Sequence, residues 1–390
     1  TLRLQPQAQH TKQVSWYRET ELRKLASSTM GGVRQQLMAA VLVAVALMAT
    51  AAEGYITQKT WGAIRRANRA GPFVGLVVPN TYEMVPVLES PSFVASKSIP
   101  NMDIQGRRFR FGTIEGQSVV MVMTGLSMLN AGLTTQMLLS LFRVKGIVHW
   151  GIAGNANEDL QIGDVTIPEY WAHVSLWNWQ RFGDGKDNEL SLEAAGDYTR
   201  EYGFLNFSDY TVGQSNPALS ANQLNSIWYQ PEEIFPKSGE PEERQHAFWV
   251  PASKRYYELA KKLEGMELPA CVNATTCLPR APRVTRVSKG CSANVFLDNA
   301  EYRQFLRKQF GCTPVEMESA AVALVAHTQG VPFLTIRSLS DLAGGGSALG
   351  NEASTFLDIA AQNAVTVMLK FVPLLGKSGS EMDDGAAADM

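Results

Sequence analysis

The sequence predicts an α/β protein, with a single three-layer α/β/α domain around a central mixed sheet over residues 53–376. Apolar runs of strand length alternate along the chain with longer runs of helical periodicity, which is the pattern of an α/β domain. Polar segments with glycine follow several of the predicted strands, where α/β proteins bind their ligands. The chain has 390 residues, 45% of them hydrophobic, enough for a large core. No internal repeat or change of composition divides residues 53–376 into two domains.

Glycine and proline residues mark the ends of most predicted elements. The first half contains a helix at TQKTWGAIRRANRAG, a strand at FVGLVVP, a loop leading to a short helix at NTYEMVPVLES, a hairpin at RRFRFGTIEGQSVVMVMTG, a helix at SMLNAGLTTQMLLSLFRV, a strand opening onto a glycine loop at KGIVHWGIAG, and strands in GDVTIPEYWAHVSLWNW. The second half contains a helix at SKRYYELAKKLEG, a strand at PRVTRVSKGCSANVFL, a helix at NAEYRQFLRKQFG, a buried helix entered from a strand at VEMESAAVALVAHTQG, a strand opening onto a glycine loop at VPFLTIRSLSDLAGGGS, and a closing helix at NEASTFLDIAAQNAVTVMLKFVPLL.

Residues from about 178 to 250 break this pattern and are rich in aromatic side chains. With the near flank, these are Trp177, Trp179, Phe182, Tyr198, Tyr202, Phe204, Phe207, Tyr210, Trp228, Tyr229, Phe235, Phe248 and Trp249. A long irregular stretch within a compact domain usually forms a lid over a functional site or an interface. We interpret it as an insertion that forms a lid, widens the ligand pocket or is buried between subunits. We favour burial between subunits, in a homo-oligomer, because exposed aromatic rings are a liability on a monomer.

Residues 30–52 have the pattern of a secretory signal peptide. Met30 and Arg34 precede a continuous apolar run from Leu37 to Ala49, and Ala-Thr-Ala at 49–51 has the spacing of a signal-peptidase site. The run is about 13 residues long, short of the ~20 that a membrane-spanning helix needs. A buried helix or a short membrane anchor is the alternative. We expect cleavage, no stable membrane insertion afterwards, and a protein of the secretory pathway, extracellular or vacuolar.

The two ends of the chain lie outside the predicted domain. A signal peptide normally begins a protein, so residues 1–29 are interpreted as a leader or a non-native segment. Residues 377–390 have the composition of a disordered tail. The net charge is −2 and no dense stripe of lysine and arginine occurs, so nucleic acid is not an expected partner.

Four cysteines, Cys271, Cys277, Cys291 and Cys312, are crowded into one stretch. Their even number suits one or two disulfides in an oxidising compartment, and the sequence leaves all three pairings open. Metal binding is the alternative, but no CxxC pair or histidine cluster accompanies them, so no metal site is expected.

Two sequons for N-glycosylation are compatible with secretion. They are Asn206-Phe207-Ser208 and Asn273-Ala274-Thr275. The second lies between Cys271 and Cys277, where a disulfide-closed loop would display it.

Carboxylates stand at the ends of three predicted strands. Glu83 follows the first strand, Glu316 and Glu318 bracket a methionine, and Asp341 directly precedes a glycine loop. Taken singly, each has an ordinary interpretation: Asp341 can cap a turn, and Glu318 can lie in the first turn of a helix. Together they predict a site, because acids at the mouths of buried strands are desolvated unless they are paired or used.

Four motifs, in order, resemble the nucleoside phosphorylase/hydrolase superfamily. They are GIAGNANEDLQIGDV, ANVFLDN, VEMES and VPFLTIRSLSDLA. The resemblance runs from about Phe73 to Leu375, interrupted by the aromatic stretch. It is strongest to methylthioadenosine/S-adenosylhomocysteine nucleosidases and to secreted plant relatives, the bark and vegetative storage proteins and cytokinin-riboside phosphorylases. It implies cleavage of the N-glycosidic bond of a purine nucleoside, adenine-type or cytokinin, and oligomeric relatives.

The resemblance also implies roles for individual residues. Asp341 matches the general acid that protonates the departing base, and Glu318 matches the carboxylate that binds the ribose hydroxyls. Met317 would pack against the sugar and Phe296 would stack on the base. Glu83 matches the glutamate that orients the attacking water in hydrolases. Of the paired acids, Glu318 is expected to point into the pocket and Glu316 to meet a backbone or ion-pair partner.

The nucleophile can be water or phosphate. Phosphorolytic relatives hold phosphate with an arginine and a serine or threonine, where this chain has His149 and Ile152. That difference slightly favours water. The alternative remains open because Ser127 or Thr124, with backbone amides of the glycine loop at Gly151 and Gly154, could hold phosphate as a co-substrate. No other cofactor is expected.

Two further classes of function compete with catalysis. A secreted storage protein would keep the fold as a nitrogen reserve with little or no turnover, but it would not need Asp341, Glu318 and Glu83 together. A binding module would hold a nucleoside without releasing product.

Overall fold

The computed structural model describes residues 40, 56–181, 186–190, 200–206, 226–346 and 352–377. From Gln58 onward these residues belong to one compact unit. The predicted leader at 1–29, the predicted tail beyond Lys377, the signal peptide at 30–52 apart from Ala40, and Phe207 and Ser208 of the first sequon lie outside the described residues.

Helices and strands alternate as predicted. The helices of the described residues are α1 Gln58–Asn68, α2 Thr81–Glu89, α3 Met128–Leu141, α4 Lys254–Ala260, α5 Ala300–Phe310, α6 Ser319–Thr328, α7 Glu352–Phe371 and α8 Leu374–Lys377. The strands are β1 Phe73–Val78, β2 Phe93–Ala95, β3 Asn101–Ile104, β4 Arg107–Ile114, β5 Gln117–Met123, β6 Val144–Asn155, β7 Val165–His173, β8 Trp177–Trp179, β9 Phe204–Asn206, β10 Ser226–Tyr229, β11 Glu232–Ile234, β12 Gln245–Ala247, β13 Val250–Pro251, β14 Val284–Ser292, β15 Cys312–Glu316 and β16 Phe333–Leu342.

A mixed sheet of 11 of the described strands forms the centre of the domain, in the order β13-β7-β14-β15-β6-β1-β5-β4-β2. In addition, β16 pairs with β6 and β7, and β3 pairs with β4. Strand β1 is parallel to β5 and β6, whereas β4 and β5 form the predicted antiparallel hairpin. Helices flank this sheet: α7 packs against β16 and β6, and α3 packs against α6. The predicted α/β class with a mixed central sheet is confirmed.

Strand β6 gathers the segments that carry the predicted site. It runs parallel to β1 and β16, and His149 is the partner of Val77 on one side and of Thr335 on the other. The carboxyl ends of β1, β6 and β16 therefore meet at one edge. Strand β15 joins this edge by pairing its Val315 with Gly154.

The glycine loop predicted after KGIVHW is instead a continuation of β6, which runs on to Asn155. Gly151 and Gly154 lie within the strand because β16 and β15 supply it with hydrogen-bonding partners there. The glycines serve close approach rather than a turn, since a β-carbon at Gly154 would lie 3.1 Å from that of Ala343.

The aromatic stretch is more regular and more buried than the sequence predicts. Its described parts form β8–β10, a three-stranded sheet, and β11–β12, a two-stranded sheet. Tyr229 and Phe248 are buried against Phe310 of α5, with ring centroids 4.9 and 5.5 Å away. These rings are buried within the chain itself, so their burial needs no second subunit. Trp179 and Phe235 remain about half exposed, at 47% and 49%.

One segment of the described residues, Thr355–Gly376, is long and apolar enough to span a membrane by length and composition. It comprises most of α7 and most of α8, and 61% of its apolar 18-residue stretch is buried inside the domain. Residues such as Ala364, Val365 and Met368 are fully buried, as in the core helix of an α/β domain.

The cysteines form two disulfides, Cys271–Cys277 and Cys291–Cys312. The first closes a short exposed loop, and the second links the neighbouring parallel strands β14 and β15. This selects one of the three pairings that the sequence left open.

Candidate active site

A cleft lies at the carboxyl ends of β1, β6 and β16. Its lining residues are Pro79, Asn80, Glu83, Leu126, Ile152, Ala153, Gly154, Val295, Phe296, Leu297, Val315, Glu316, Met317, Glu318, Arg337, Ser340 and Asp341. The cleft therefore brings together all the carboxylates that the sequence placed at strand ends. It also contains a charged residue that the sequence analysis missed, Arg337.

Glu83 is held in the first turn of α2 by a capping box. The side chain of Asn80 accepts a hydrogen bond from the Glu83 N–H, and the Glu83 carboxylate accepts one from the Asn80 N–H. Its other oxygen, Oε1, accepts the N–H of Ile152 at 2.7 Å. The side chain is almost fully buried, and this burial raises the pKa of Glu83 to about 7, against the opposing charge of Arg337. A carboxyl group in this range can exchange protons near neutral pH.

Arg337 is a buried cation at the centre of the site. Its Nε donates to Ser319 Oγ at 3.0 Å, and Nη1 donates to the Ile152 carbonyl at 3.0 Å. Nη2 donates to Glu316 and to His149. All three guanidinium nitrogens are therefore engaged by the protein. The sequence did contain a signal for a buried cation, because Arg337 lies among the buried residues of β16.

His149 is fully buried behind this cation and does not line the cleft. Its Nε2 accepts a hydrogen bond from Arg337, so Nδ1 carries the proton and donates to the Val77 carbonyl at 2.8 Å. Burial, and then the charge of Arg337, lower the pKa of His149 well below its usual range. The neutral ring orients Arg337. His149 therefore does not make the substrate contact that the sequence predicts.

Glu316 and Glu318 point to different partners, as the sequence analysis expects. Glu316 ends β15, where its carboxylate pairs with Arg337 and accepts hydrogen bonds from Ser292 Oγ and from the N–H groups of Glu318 and Ser319. It thereby caps the amino terminus of α6. Glu318 is the N-cap residue of α6, with φ −137° and ψ −39°, and its own side chain makes no capping hydrogen bond to this helix.

Glu318 instead reaches across to the loop before α3. Its Oε1 accepts the N–H of Ser127 at 2.9 Å, and its Oε2 lies 3.5 Å from Arg337. Burial, and then the neighbouring Glu316, raise the pKa of Glu318 above the ordinary glutamate range. Ser127 therefore contributes through its backbone, at a positive φ of 87°, and its side chain makes no cap to α3.

Asp341 is held at the carboxyl end of β16, half-buried in the cleft wall. Its Oδ1 accepts a hydrogen bond from Ser340 Oγ at 2.6 Å. Burial raises the pKa of Asp341, the bond from Ser340 opposes that rise, and the negative charge of Asp298 adds to it. A carboxyl group with a raised pKa is suited to donate a proton.

The remaining predicted residues divide between the cleft and its support. Phe296 lines the cleft but is 71% exposed, and Met317 lines it half-buried. Gly151 lies behind the cleft wall, where a β-carbon would come within 2.4 Å of Glu83. Thr124 is fully buried, and its hydroxyl donates to the Gly125 carbonyl at 2.7 Å.

Comparisons with known proteins agree with this fold and cleft. The phosphorylase superfamily model matches residues 73–373. Bark storage protein A of Populus deltoides is 30% identical over 301 residues, which cover 77% of this chain and 88% of that protein. The 5'-methylthioadenosine/S-adenosylhomocysteine nucleosidase of Halalkalibacterium halodurans is 26% identical over 69% of this chain and 86% of that protein.

A solved structure extends the likeness to the fold. The 5'-methylthioadenosine/S-adenosylhomocysteine nucleosidase of Helicobacter pylori, crystallised with butyl-thio-DADMe-Immucillin-A, superposes with a TM-score of 0.50 at 21% identity. The match covers 77% of this chain and 97% of that one. The family model matches residues 73–373, and the relatives and the fold agree with it. This chain is therefore a member of the phosphorylase superfamily.

Proposed function

We propose that the protein cleaves the N-glycosidic bond of purine nucleosides, with water as the nucleophile. The observation that carries this proposal is the convergence of Glu83, Glu318 and Asp341 on one cleft beside the buried cation Arg337. Membership of a superfamily that includes nucleosidases supports the same class of reaction.

The chemistry follows from the charge that develops when the bond breaks. The departing purine gains negative charge, which a proton from Asp341 to its imidazole ring neutralises. The ribose gains positive charge, which the carboxylate of Glu318 stabilises while it accepts hydrogen bonds from the sugar hydroxyls. Water attacks the anomeric carbon, Glu83 takes the proton of that water, and the products are free base and ribose.

Water is favoured over phosphate by the electrostatics of the cleft. Glu83 already occupies the Ile152 N–H, which a phosphate would otherwise use. The guanidinium of Arg337 is engaged by Glu316, Ser319 and the Ile152 carbonyl. A phosphate dianion would have to displace these partners and approach two further carboxylates.

The deciding experiment measures base release from adenosine, N6-isopentenyladenosine and methylthioadenosine, with and without phosphate. We expect release that does not depend on phosphate and yields free ribose or its 5-thio analogue. Glu83→Gln should lower kcat about 100-fold or more by removing the base. The matched control is Asp103→Asn, which breaks an exposed ion pair with Arg108 outside the cleft. Ribose 1-phosphate as product would make the protein a phosphorylase.

Storage is the second candidate function, and the observation that favours it is the 30% identity to a bark storage protein. A storage role has no need for buried carboxyl groups with raised pKa values, which destabilise a fold when they ionise. Folded protein that releases no base from any of the three nucleosides would favour storage, or binding without turnover.

We also propose that the protein is secreted and forms a homo-oligomer. Two disulfides support an oxidising compartment. A row of leucines beside the cleft, Leu126, Leu129 and Leu133, is 61%, 71% and 56% exposed, and a second copy would bury it. Light scattering of the purified protein tests the oligomeric state, and a monomer at micromolar concentration would contradict the proposed homo-oligomer.

A further inference from the structure

The turn that follows Asp341 contains three successive glycines with positive φ. Gly344, Gly345 and Gly346 have φ values of 83°, 70° and 97°. Gly344 is pressed against the start of α5, where a β-carbon would lie 2.4 Å from the backbone of Asn299 and Ala300. Glycine has more conformational freedom than any other residue, so this turn needs contacts from outside to hold one conformation.

Arg303 supplies such contacts from α5. The same nitrogen, Nη1, donates to the carbonyls of Ala343 and Gly345, both at 2.8 Å. Nη2 donates to Glu158 at 3.1 Å, but Glu158 itself is 65% exposed. The arginine is only 4% exposed, so its compensation for desolvation comes largely from these two carbonyls.

The opposite side of the turn is anchored to β6. The Ala343 N–H donates to the Asn155 carbonyl at 3.0 Å, and Ser340 Oγ, which donates to Asp341, lies 3.2 Å from the Ala153 carbonyl. The segment from Asp341 to Gly345 therefore lies between β6 on one side and Arg303 on the other.

We propose that Arg303 is a positioning residue for Asp341: by holding the carbonyls of Ala343 and Gly345, it keeps the glycine turn closed against α5 and the Asp341 carboxyl in the cleft wall. The catalytic part of this inference rests on the proposed function. Loss of the two hydrogen bonds would let the turn open and water reach Asp341. Hydration would lower the raised pKa of that carboxyl, because burial is the main cause of the rise.

The variant that isolates this effect is Arg303→Lys. It keeps the positive charge, so the long-range field at Asp341 is preserved, but an ammonium group on a shorter stem cannot reproduce the contacts of the guanidinium. The matched control is Arg307→Lys on the same helix. Arg307 holds the Gly311 and Cys312 carbonyls and Thr313 Oγ1, at 3.1 to 3.2 Å, near the far end of α5.

In base-release assays, Arg303→Lys should lower kcat about 10- to 100-fold, the effect of a misplaced catalytic group, with KM changed less than about twofold. The limb of the pH profile of kcat that Asp341 sets should move to lower pH. Arg307→Lys should lose a similar amount of thermal stability while its pH profile stays that of the wild type. Guanidinium ion should partly restore activity to Arg303→Ala and leave Arg307→Ala unchanged.

A second measurement does not depend on turnover. With aspartate labelled at the carboxyl carbon, NMR titration follows Asp341, whose signal is identified by its absence in Asp341→Asn. We expect the Asp341 titration to move to lower pH in Arg303→Lys and to stay in place in Arg307→Lys. An unchanged titration in Arg303→Lys overturns the positioning role. If the Asp341 titration moves as expected in Arg303→Lys but the wild-type protein releases no base, only the proposed function is overturned.

Discussion

A β-carbon at Gly151 would lie 2.4 Å from Oε1 of Glu83, so the glycine is what allows this carboxylate to reach β6. The same β-carbon would lie 2.5 Å from Nη1 of Arg337. One glycine therefore makes room for both an acid and the cation that partly offsets its burial.

Gly151→Ala should abolish most activity while leaving the fold intact. The φ of Gly151 is not positive and the clashing atoms are side-chain ends, so Glu83 and Arg337 would move rather than the strand. We expect kcat to fall about 100-fold, since a displacement near 1 Å can have that effect. Gly132→Ala on α3 is the control, because its β-carbon would only touch Ala321 at 3.9 Å. Equal activity of the two variants would contradict the role of Gly151.

The pH dependence should be bell-shaped, because turnover requires Glu83 to be ionised and Asp341 to be protonated. Glu83 acts as a base only when ionised, so the fraction of Glu83 that can act falls as the pH drops through about 7. Asp341 acts as an acid only when protonated, so the fraction of Asp341 that can act falls as the pH rises through its raised pKa. Asp298→Asn removes a charge that contributes to this rise and should move the limb set by Asp341 to lower pH. Profiles of kcat for the wild type, Asp298→Asn and Asp341→Asn measure this, and a profile that keeps both limbs in Asp341→Asn would contradict the assignment.

The two acids that bracket Met317 should differ in what they support. Glu316→Gln leaves Arg337 without its closest carboxylate, so we expect a loss of about 3 kcal/mol in the free energy of unfolding. Glu318→Gln keeps the acceptor for Ser127 but loses the charge that faces the sugar, so activity should fall about 100-fold with little change in stability. Denaturant unfolding and base-release kinetics on both variants separate the two. If Glu316→Gln mainly lost activity and Glu318→Gln mainly lost stability, the roles assigned to the two acids would be exchanged.

Asn273 should carry an N-linked glycan when the protein passes through a eukaryotic secretory pathway. The residue is exposed in the loop closed by Cys271 and Cys277, and its Oδ1 accepts both the N–H and the hydroxyl of Thr275 at 3.0 Å. This leaves Nδ2 available to the transferase. Asn273→Gln and Thr275→Ala should each remove one glycosidase-sensitive mobility shift, with Asn206→Gln for comparison. A shift unaffected by either substitution would place the glycan elsewhere.

Several features of the site could be predicted because they depend on local pattern. Glu83 and Asp341 follow β1 and β16, which are both parallel to β6, and the carboxyl ends of parallel strands share an edge. Glu318 follows β15, which is antiparallel to β6, so its place in the site and the roles of all three acids were expected from the family motifs. The hairpin at Arg107–Met123 and the helix α6 followed from turn residues and apolar runs.

Other features depend on partners far apart in the chain, which local pattern does not contain. In the sequence, Arg337 is only a polar residue within a predicted strand. Its role becomes visible through its contacts with Glu316 and His149, which lie 21 and 188 residues away in the chain. His149 was expected at the ligand because it stands where phosphorolytic relatives have a phosphate-binding residue, but its side chain turns to Arg337.

By itself, the sequence determined the α/β class and the set of carboxylates at the strand ends, because periodicity and strand-end chemistry are short-range properties. Only the tertiary structure decided the disulfide pairing and the inward packing of Tyr229 and Phe248. It also decided the direction in which each pKa moves. Burial and the distance to other charges set that direction, and both exist only once β1, β6, β15 and β16 have come together.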